Sequence, residues 1–375
     1  MIERMSVDSS VGDILRKSLS GERLSLEDGI RLFESDDVWA MAAAADVVRR
    51  RLNGNRTHYI VNRHVNHTDI CCNNCAFCAY SRVPGDESGY TLSVEDVVRR
   101  ASELWGTMQF TELHIVGGLN PALPFDYYVT LLRELRSRFP SVHLQAFTAV
   151  EIDHIARVGG LDVQDTLLQL LEAGLGSLPG GGAEVFSPRV REVLCPEKLS
   201  AQKWLDVMRT AHSLGIRSNA TMLYGHIETY EERVRHIIEL RALQDDTGGF
   251  LSFIPLKFHR ENTRVPEPTA PLGALEDVKL YAVSRLMLDN IRHLKVFWIM
   301  LGPKLAQTLL GCGADDLDGT VIEEKITHRA GARTPQGLTV TDLCGLIVEA
   351  GFVPVERDTL YNEVKRSATG EFAVS

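Results

Sequence analysis

The sequence has no apolar run that approaches the roughly 18 to 20 residues needed for a membrane-spanning helix. It also has no excess of basic residues, because 40 Lys and Arg stand against 50 Asp and Glu, a formal net charge of −10 at pH 7. A nucleic-acid partner bound through a broad basic surface is therefore not expected. The start of the chain lacks the charged-then-apolar layout of a signal peptide. These absences predict a cytoplasmic protein that binds neither membranes nor nucleic acid.

A linker rich in Pro, Gly or Ser, a low-complexity tract and a short repeat are also missing from the 375 residues. Residues 26–52 have apolar positions at helical spacing, and beyond them short β-like runs alternate with longer helical ones. About eight such βα units predict an α/β protein with a parallel sheet closed into a TIM-like (β/α)8 barrel. We predict an N-terminal helical extension at residues 1–55 and a barrel with its C-terminal segment at residues 56–375.

Local signals predict particular elements. The run "HYIVNRHV" (58–65) is expected to form one strand, and "VFWIML" (296–301) continues the alternation of strands and helices toward the C-terminus. A helix over 161–173 is expected to end at Gly174. Another helix should begin behind Thr229, since Glu232 stands at capping-box spacing from it. In such barrels catalytic groups lie on the loops that follow the strands, which directs attention to those loops.

Cysteine is scarce except in "CCNNCAFCAY" (71–80), which holds four of the seven cysteines. In a reducing compartment, clustered thiols indicate metal ligands before disulfides. A structural zinc site normally needs two separated pairs of ligands. The remaining cysteines, Cys195, Cys312 and Cys344, are isolated, which disfavours zinc.

Two registers of an iron–sulfur site remain open. Cys72, Cys75 and Cys78 with the remote Cys195-Pro196 match a ferredoxin-like set with four protein ligands. Cys71, Cys75 and Cys78 instead give C-x3-C-x2-C with no fourth protein ligand. By analogy with zinc sites, an open coordination position is typical of a catalytic rather than a structural metal.

C-x3-C-x2-C after the first strand of a βα barrel, with Phe77 before the last cysteine, resembles the radical S-adenosylmethionine enzymes. The resemblance implies that Cys71, Cys75 and Cys78 hold a [4Fe-4S] cluster and that Phe77 lies at the cofactor. It further implies that S-adenosylmethionine docks on the open iron and is cleaved to a 5′-deoxyadenosyl radical. An electron donor such as flavodoxin or ferredoxin is then required, and Cys72 is a bystander.

Two glycine-rich loops follow later strands. In "IVGGLNP" (115–121), Gly117 and Gly118 form either a simple turn or a close approach of backbone carbonyls to the methionyl ammonium, as the resemblance implies. In "SLPGGGAEVF" (177–186) the absence of a following Lys-Ser/Thr excludes a phosphate-binding P-loop. The loop either contributes to the site or is merely flexible. Glu184 in this loop is a candidate cofactor-binding residue.

The run "NATMLYGHIET" (219–229) leads from a strand into a loop, and alternation puts Asn219 and Thr221 on one face of the strand, as candidate cofactor-binding residues. Together with "SLPGGGAEVFSPRV", "GTVIEEKITHRAGA" (319–332) and "AGFVPVERDTLY" (350–361), it is similar to the radical enzymes of the futalosine route to menaquinone and their relatives in deazaflavin synthesis. Within this group the motifs most resemble the aminofutalosine synthases. A cyclic dehypoxanthine futalosine synthase, a deazaflavin-forming enzyme and a non-catalytic iron–sulfur electron-transfer module are the alternatives.

The resemblance implies that the adenosyl radical adds to the enol ether of 3-[(1-carboxyvinyl)oxy]benzoate. Aryl migration and loss of the carboxyl carbon then give aminodeoxyfutalosine, and methionine is released. Arg189 and Glu228 are candidate substrate-binding residues, with a solvated surface position as the alternative for Arg189. His226 and His328 are candidates for proton transfer, although a single histidine is more often structural than catalytic.

Overall fold

The computed structural model describes residues 9–265, 272–367 and 372–374. Its helices, numbered here in chain order, are α1 Gly12–Leu19, α2 Leu26–Glu34, α3 Val38–Asn53, α4 Val94–Ser102, α5 Phe125–Arg138, α6 Ala149–Gly159, α7 Val163–Ala173, α8 Pro188–Leu194, α9 Ala201–Ser213, α10 Tyr230–Thr247, α11 Ala274–Met287, α12 Trp298–Leu301, α13 Pro303–Leu309, α14 Ile326–Arg329 and α15 Val340–Glu349. Its strands are β1 Arg56–Ile60, β2 Asn62–Asn66, β3 Glu112–Val116, β4 His143–Ala146, β5 Ser177–Leu178, β6 Arg217–Tyr224, β7 Phe250–Lys257, β8 His293–Leu294, β9 Asp316–Gly319, β10 Val353–Glu356, β11 Val364–Arg366 and β12 Phe372–Val374.

Seven parallel strands form the main sheet in the order β2-β3-β4-β5-β6-β7-β8. The segment around β9 connects the two edges of this sheet through single parallel bridges, Lys295 with Asp316 on one side and Arg63 with Ile322 on the other. The sheet therefore curls into a TIM-like barrel, as the alternation of short and long apolar segments predicts. Of two smaller sheets, one has the order β10-β1-β9 and attaches the C-terminal segment to the barrel, and the other is the antiparallel pair β11-β12.

The prediction of one strand over residues 58–65 is wrong. The chain changes partners at Val61, because β1 pairs with β9 and β10 while β2 pairs with β3. The run 296–301, expected to continue the alternation of strands and helices, follows strand β8 and does not form a strand itself: Trp298 begins a short helix and its indole donates to the carbonyl of Gly319. Apolar runs of four to eight residues do not reveal such changes of partner, because both conformations bury the same side chains.

The capping residues in the sequence predict the ends of helices correctly, whereas the lengths of apolar runs do not predict the bounds of strands. Helix α7 ends at Gly174, which has a φ of +116°, a left-handed conformation that suits glycine. Helix α10 begins behind Thr229. The Thr229 side chain accepts from the Glu232 amide, and the Glu232 carboxylate accepts from the Thr229 amide. Both predictions are confirmed, because each depends on bonds within one turn.

The N-terminal helices are packed on the outside of the barrel, with α3 against α11 and α2 against α10 and α11. Lys279 donates to the carbonyl of Phe33, and Arg241 donates to the carbonyl of Leu24, at 2.9 and 3.0 Å. A Cβ on Gly29 would lie 2.6 Å from the sulfur of Met287, so glycine permits close packing there. None of the described helices is both long enough and apolar enough to cross a bilayer.

Candidate active site

A cavity of about 340 Å³ opens at the carboxyl ends of the barrel strands, and we call it the site cavity. Its walls include the loops that follow β2, β3 and β5 and the inward face of β6. This is the end of a βα barrel at which catalytic groups are found. The predicted residues that line it are Cys71, Cys75, Phe77, Cys78, Gly117, Gly118, Glu184, Asn219 and Thr221.

Three of the four clustered cysteines face this cavity. Cys71, Cys75 and Cys78 line it, whereas Cys72 is exposed and does not. Burial raises the pKa of the Cys75 thiol to about 12 and also raises that of Cys71. Since thiolates and not thiols bind metals, these buried thiols must lose their protons when a metal binds. Three converging thiols suit a cube of iron and sulfur that has three protein ligands.

The ferredoxin-like register fits the geometry less well. Its first ligand, Cys72, lies on the outer side of the loop, and its amide donates to the carbonyl of Leu119 at 2.9 Å. Cys195 is buried close behind Cys75, and the Ala76 amide donates to the carbonyl of Leu194 at 2.7 Å, but Cys195 does not line the site cavity. The donor set around the cavity is thus the C-x3-C-x2-C set.

The glycine pair after β3 is explained by close packing of two loops. A Cβ on Gly118 would clash with the Ile70 carbonyl, 2.7 Å from its carbon, and lie 3.1 Å from Cβ of Cys71. A Cβ on Gly117 would lie 2.5 Å from the ring of His67. Neither glycine has a φ in the left-handed region, so turn geometry does not demand them. They allow the backbone of this loop to touch the loop that carries the cysteines.

Glu151 is a site residue that the sequence reasoning missed. It lies in the first turn of α6, where its carboxylate accepts from the Thr148 amide at 2.8 Å and from the Gly117 amide at 2.9 Å. Its side chain lines the site cavity, and burial raises its pKa to about 7. The spacing of Thr148 and Glu151 is that of a capping box, which was the available signal.

The triple-glycine loop packs on β6. A Cβ on Gly180 would lie 2.7 Å from the carbonyl oxygen of Asn219, and Thr221 Oγ1 donates to the Gly180 carbonyl at 2.6 Å. Asn219 Oδ1 accepts from Ser252 at 2.9 Å. Asn219, Thr221 and Leu223 all line the cavity, as period-two alternation requires.

Glu184 forms a buried ion pair with a second missed residue, Lys198. The Lys198 ammonium lies 2.6 Å from the carboxylate and 5.1 Å from the centre of the Phe77 ring. Burial opposes the charge, but Glu184 holds the pKa of Lys198 above its usual range. A positive charge is therefore held beside the cysteines, where it partly offsets the negative charge of thiolates.

The floor of the site cavity is polar and aromatic. The rings of His64 and His114 stack with centroids 4.4 Å apart, and burial lowers the pKa of both, so they are neutral near pH 7. Lys295 Nζ lies 3.3 Å from Asp318. Nε2 of His64 and Oδ1 of Asn66 are buried without a hydrogen-bond partner among the described residues. Such atoms in a cavity are available to a ligand.

Two predicted substrate-binding residues do not line the site cavity. Arg189 is 53 % exposed and pairs with Glu232 at 2.6 Å. It thus has the surface position that was the alternative to substrate binding. Glu228 is buried between Arg233, at 2.8 Å, and the amide of Gly225. Although burial opposes its charge, His226 and Arg233 lower the pKa of Glu228 to about 2. Both side chains stabilise the loop after β6.

The two predicted catalytic histidines also lie outside the lining. Nε2 of His226 lies 2.9 Å from the Leu223 carbonyl, and Nδ1 lies 2.9 Å from the Glu228 carboxylate and 2.7 Å from the Ile227 amide nitrogen, so neither nitrogen is free. His328 places its two nitrogens 2.9 and 3.1 Å from the carbonyls of Glu324 and Thr334. Two acceptors require two N–H donors, and hydrogen bonding with Glu324 raises the pKa of His328 to about 9. His328 is thus held by the segments on either side of its helix, outside the lining of the site cavity.

Comparison with known proteins agrees with this geometry. The profile of the Radical SAM superfamily matches residues 65–240, and that of the CofH/MqnC C-terminal region matches residues 247–369. An aminodeoxyfutalosine synthase from Thermus thermophilus is 45 % identical, over 94 % of this chain and 95 % of the relative. One from Streptomyces coelicolor is 46 % identical, over 96 % and 95 %.

More distant likenesses share the architecture. A 5-amino-6-(D-ribitylamino)uracil–L-tyrosine 4-hydroxyphenyl transferase from Methanococcoides burtonii is 38 % identical, over 90 % of this chain and 95 % of the relative. The crystal structure of methylornithine synthase superposes with a TM-score of 0.72 at 17 % identity, covering 91 % of this chain and 97 % of the other, and supports the barrel fold alone. The chain belongs to the radical SAM superfamily, in the branch that carries the CofH/MqnC C-terminal region and includes the aminodeoxyfutalosine synthases.

Proposed function

We propose that this protein is an aminodeoxyfutalosine synthase. It joins the adenosyl part of S-adenosylmethionine to 3-[(1-carboxyvinyl)oxy]benzoate, with aryl migration and loss of the carboxyl carbon, and releases methionine. The two nearly full-length synthase relatives support this reaction. The observation that carries it is one cavity with three thiols at its rim and a polar, aromatic floor. Such a cavity suits a sulfonium nucleoside above an aromatic dicarboxylate.

Cys71, Cys75 and Cys78 would hold a [4Fe-4S] cluster with one iron lacking a protein ligand. When bound, the cluster and S-adenosylmethionine supply a 5′-deoxyadenosyl radical. Lys198 lowers the electrostatic cost of the charged thiolates, and its pairing with Glu184 keeps it in place. An external donor such as flavodoxin or ferredoxin completes the proposal, and the exposed Cys72 marks where the cysteine loop reaches the surface.

The nucleoside is held by residues from three loops and one strand. Gly117 and Gly118 bring the backbone close to the cysteines, and the Glu151 carboxylate behind them suits the methionyl ammonium. Asn219 and Thr221 offer amide and hydroxyl groups along β6 for the ribose or adenine, and Phe77 offers an apolar face. These contacts orient the cofactor and exclude water, which is the protein's part in such chemistry.

The substrate is proposed to lie deeper, against the floor. Its two carboxylates need cationic or hydrogen-bonding partners. Lys295 and Lys257 lie at the cavity wall, where each ammonium pairs with an aspartate, at 3.3 and 2.6 Å, and has three N–H donors to share with a further acceptor. The unpartnered Nε2 of His64 is a group that can donate to or accept from the substrate. For proton transfer we favour His64 and His114 over His226 and His328, because only the former two face the cavity.

The test is the fate of the adenosyl carbon. The anaerobic, reduced enzyme is incubated with the enolpyruvyl benzoate and with S-adenosylmethionine labelled with ¹³C at C5′, and nucleosides are analysed by mass spectrometry. We expect the label in a nucleoside that also carries the benzoate, with methionine formed in equal amount. Release of labelled 5′-deoxyadenosine with dehypoxanthine futalosine as substrate, and no adduct with the benzoate, would instead identify the cyclase.

We further expect S-adenosylmethionine to bind more tightly as the pH rises from 6 to 8. In the free protein burial raises the pKa of Glu151 from 4.5 to about 7, so the ionised folded form is disfavoured and stability decreases as the pH rises between these values. The bound ammonium favours the ionised form, and affinity should increase about tenfold over this range.

The measurement is the dissociation constant in the cluster-loaded enzyme at pH 6, 7 and 8, for the wild type and for Glu151→Gln. The variant should bind weakly with little pH dependence. Glu172→Gln, which removes an exposed acid of α7, is the matched control and should follow the wild type. A pH profile that persists in Glu151→Gln would assign the titration to another group.

A further inference from the structure

A second cavity, of about 540 Å³, lies at the opposite end of the barrel, and we call it the basic cavity. It is lined where β1, β6 and β8 begin, and it shares no lining residue with the site cavity. Four arginines and two histidines line it, against one acidic side chain, Glu363. A concave surface of this volume is within the range of small-molecule sites, and its lining is strongly cationic.

Two of the guanidinium groups are not neutralised by a carboxylate. Arg357 pairs with Asp316 at 2.6 Å and Arg56 pairs with Glu363 at 2.5 Å. Arg292 instead donates to neutral acceptors, the Leu52 carbonyl and the Asn53 amide oxygen, at 2.9 and 3.3 Å. Arg217, at the first position of β6, has no acidic partner among the residues that the structure describes. Two positive charges at the cavity wall are thus left for another partner.

Buried polar atoms without partners gather at the same place. Nδ2 of Asn53, Oδ1 of Asn290 and Nη2 of Arg357 are all buried and lack a hydrogen bond within the described part of the chain. All three residues line the basic cavity. Buried polar groups in native proteins are almost always satisfied, by protein, by water or by a bound ligand. This second observation, independent of charge, indicates a site that a polar ligand completes.

A buried guanidinium group beside the two histidines disfavours a metal ion at this place. The Nδ1 atoms of His293 and His58 lie 2.6 and 3.6 Å from the carboxylate of Asp315, a group that resembles a metal site. However, Arg285 already lies 2.6 Å from the same carboxylate and neutralises it. A metal ion there would meet fixed guanidinium charge, which raises its energy. An Nδ1–H that donates to Asp315 leaves Nε2 of the ring as an acceptor, which can take a hydrogen bond from a hydroxyl group of a ligand or from water.

We propose that the basic cavity binds a compact polyanion, a metabolite that carries phosphate or carboxylate groups, at a site separate from the site cavity. Arg217 and Arg292 bind its anionic oxygens through paired N–H groups, as guanidinium groups commonly do. Asn53 Nδ2 and Arg357 Nη2 donate to the same ligand, and Asn290 Oδ1 accepts from a hydroxyl group of the ligand or from water. Lys295, two residues beyond His293 on the same segment, lines the site cavity, so this one segment contributes to both cavities.

The test is calorimetric titration of the cluster-loaded enzyme, under anaerobic conditions, with pyrophosphate and separately with citrate. The wild type should bind at least one of them with a dissociation constant below 1 mM, and the tighter of the two identifies phosphate or carboxylate as the preferred group. Arg217→Gln/Arg292→Gln should weaken binding at least tenfold. Arg209→Gln/Arg235→Gln removes two exposed helix arginines that pair with acids and is the matched control, expected to bind as the wild type does.

Saturation with S-adenosylmethionine should leave the binding of the anion unchanged. The proposal is overturned if neither anion binds, or if the double variant binds as tightly as the wild type. It is equally overturned if S-adenosylmethionine displaces the anion, which would locate the anion in the site cavity. Stoichiometric binding of Zn²⁺ that is lost in His58→Gln, without anion binding, would assign the histidines to a metal.

Discussion

Replacement of Cys71 by serine is expected to abolish the iron–sulfur cluster, whereas the same replacement at Cys72 leaves the iron content unchanged. The two residues are neighbours in sequence, but Cys71 lines the site cavity and Cys72 is exposed. A serine oxygen is a poor ligand for the soft iron of such a cluster. Loss of one of three protein ligands should therefore remove most of the iron and reduce turnover by at least a hundredfold.

Iron content and the EPR spectrum of the reduced protein, both measured after anaerobic reconstitution, distinguish the two registers. Cys72→Ser is the matched control, because it is the same chemical change one residue away. Cys195→Ser provides a further check, since Cys195 is buried near Cys75 without lining the cavity. Loss of the cluster in Cys72→Ser and Cys195→Ser, with an intact cluster in Cys71→Ser, would establish the ferredoxin-like set.

The second large effect is expected from Gly118→Ala. The added methyl group would collide with the carbonyl of Ile70 and approach the Cβ of Cys71. The carbonyl belongs to the backbone and the Cβ is bonded to it, so neither can move away by rotation of a side chain. Overpacking of this kind typically costs about 1–3 kcal/mol. Here the neighbour that must move carries a cluster ligand. We expect loss of stability and a decrease of at least tenfold in affinity for S-adenosylmethionine.

Thermal unfolding and the dissociation constant for S-adenosylmethionine are to be measured together in the cluster-loaded protein. Gly106→Ala is the control, because a Cβ at Gly106 meets no atom within 4 Å and its φ is not in the left-handed region. It should bind and unfold as the wild type does. Wild-type affinity in Gly118→Ala would mean that the two loops separate without consequence for the cofactor.

The sequence predicts the parts of this protein that depend on local signals. The alternation of strands and helices predicts the barrel, and the caps at Gly174 and Thr229 predict helix ends. The spacing of Cys71, Cys75 and Cys78 predicts the rim of the site cavity. The division of residues 58–65 between two sheets could not be predicted, because it depends on the C-terminal strands that pair with β1 almost 300 residues later.

Side-chain roles were harder to predict than loop positions. His226, Glu228, Arg189 and His328 stand in loops that follow strands, yet their polar atoms are bound by neighbours within a few turns or on the adjoining helix. The sequence does not reveal such local pairing in advance. Conversely, Lys198 reaches the site cavity from a loop with no motif of its own, and the capping box of Glu151 signals the start of a helix but not a cavity residue. Burial and pairing, which only the folded chain defines, decide which polar groups face the ligand.

In the proposed function, the cluster has an iron without a protein ligand, and S-adenosylmethionine binds to that iron. The most direct measurement is EPR with electron–nuclear double resonance on the reduced enzyme, with and without S-adenosylmethionine labelled with ¹⁵N at the methionyl amino group. We predict changed g values and a ¹⁵N coupling on addition of the labelled cofactor. An unchanged spectrum without ¹⁵N coupling, from a fully loaded [4Fe-4S] cluster, would contradict the account.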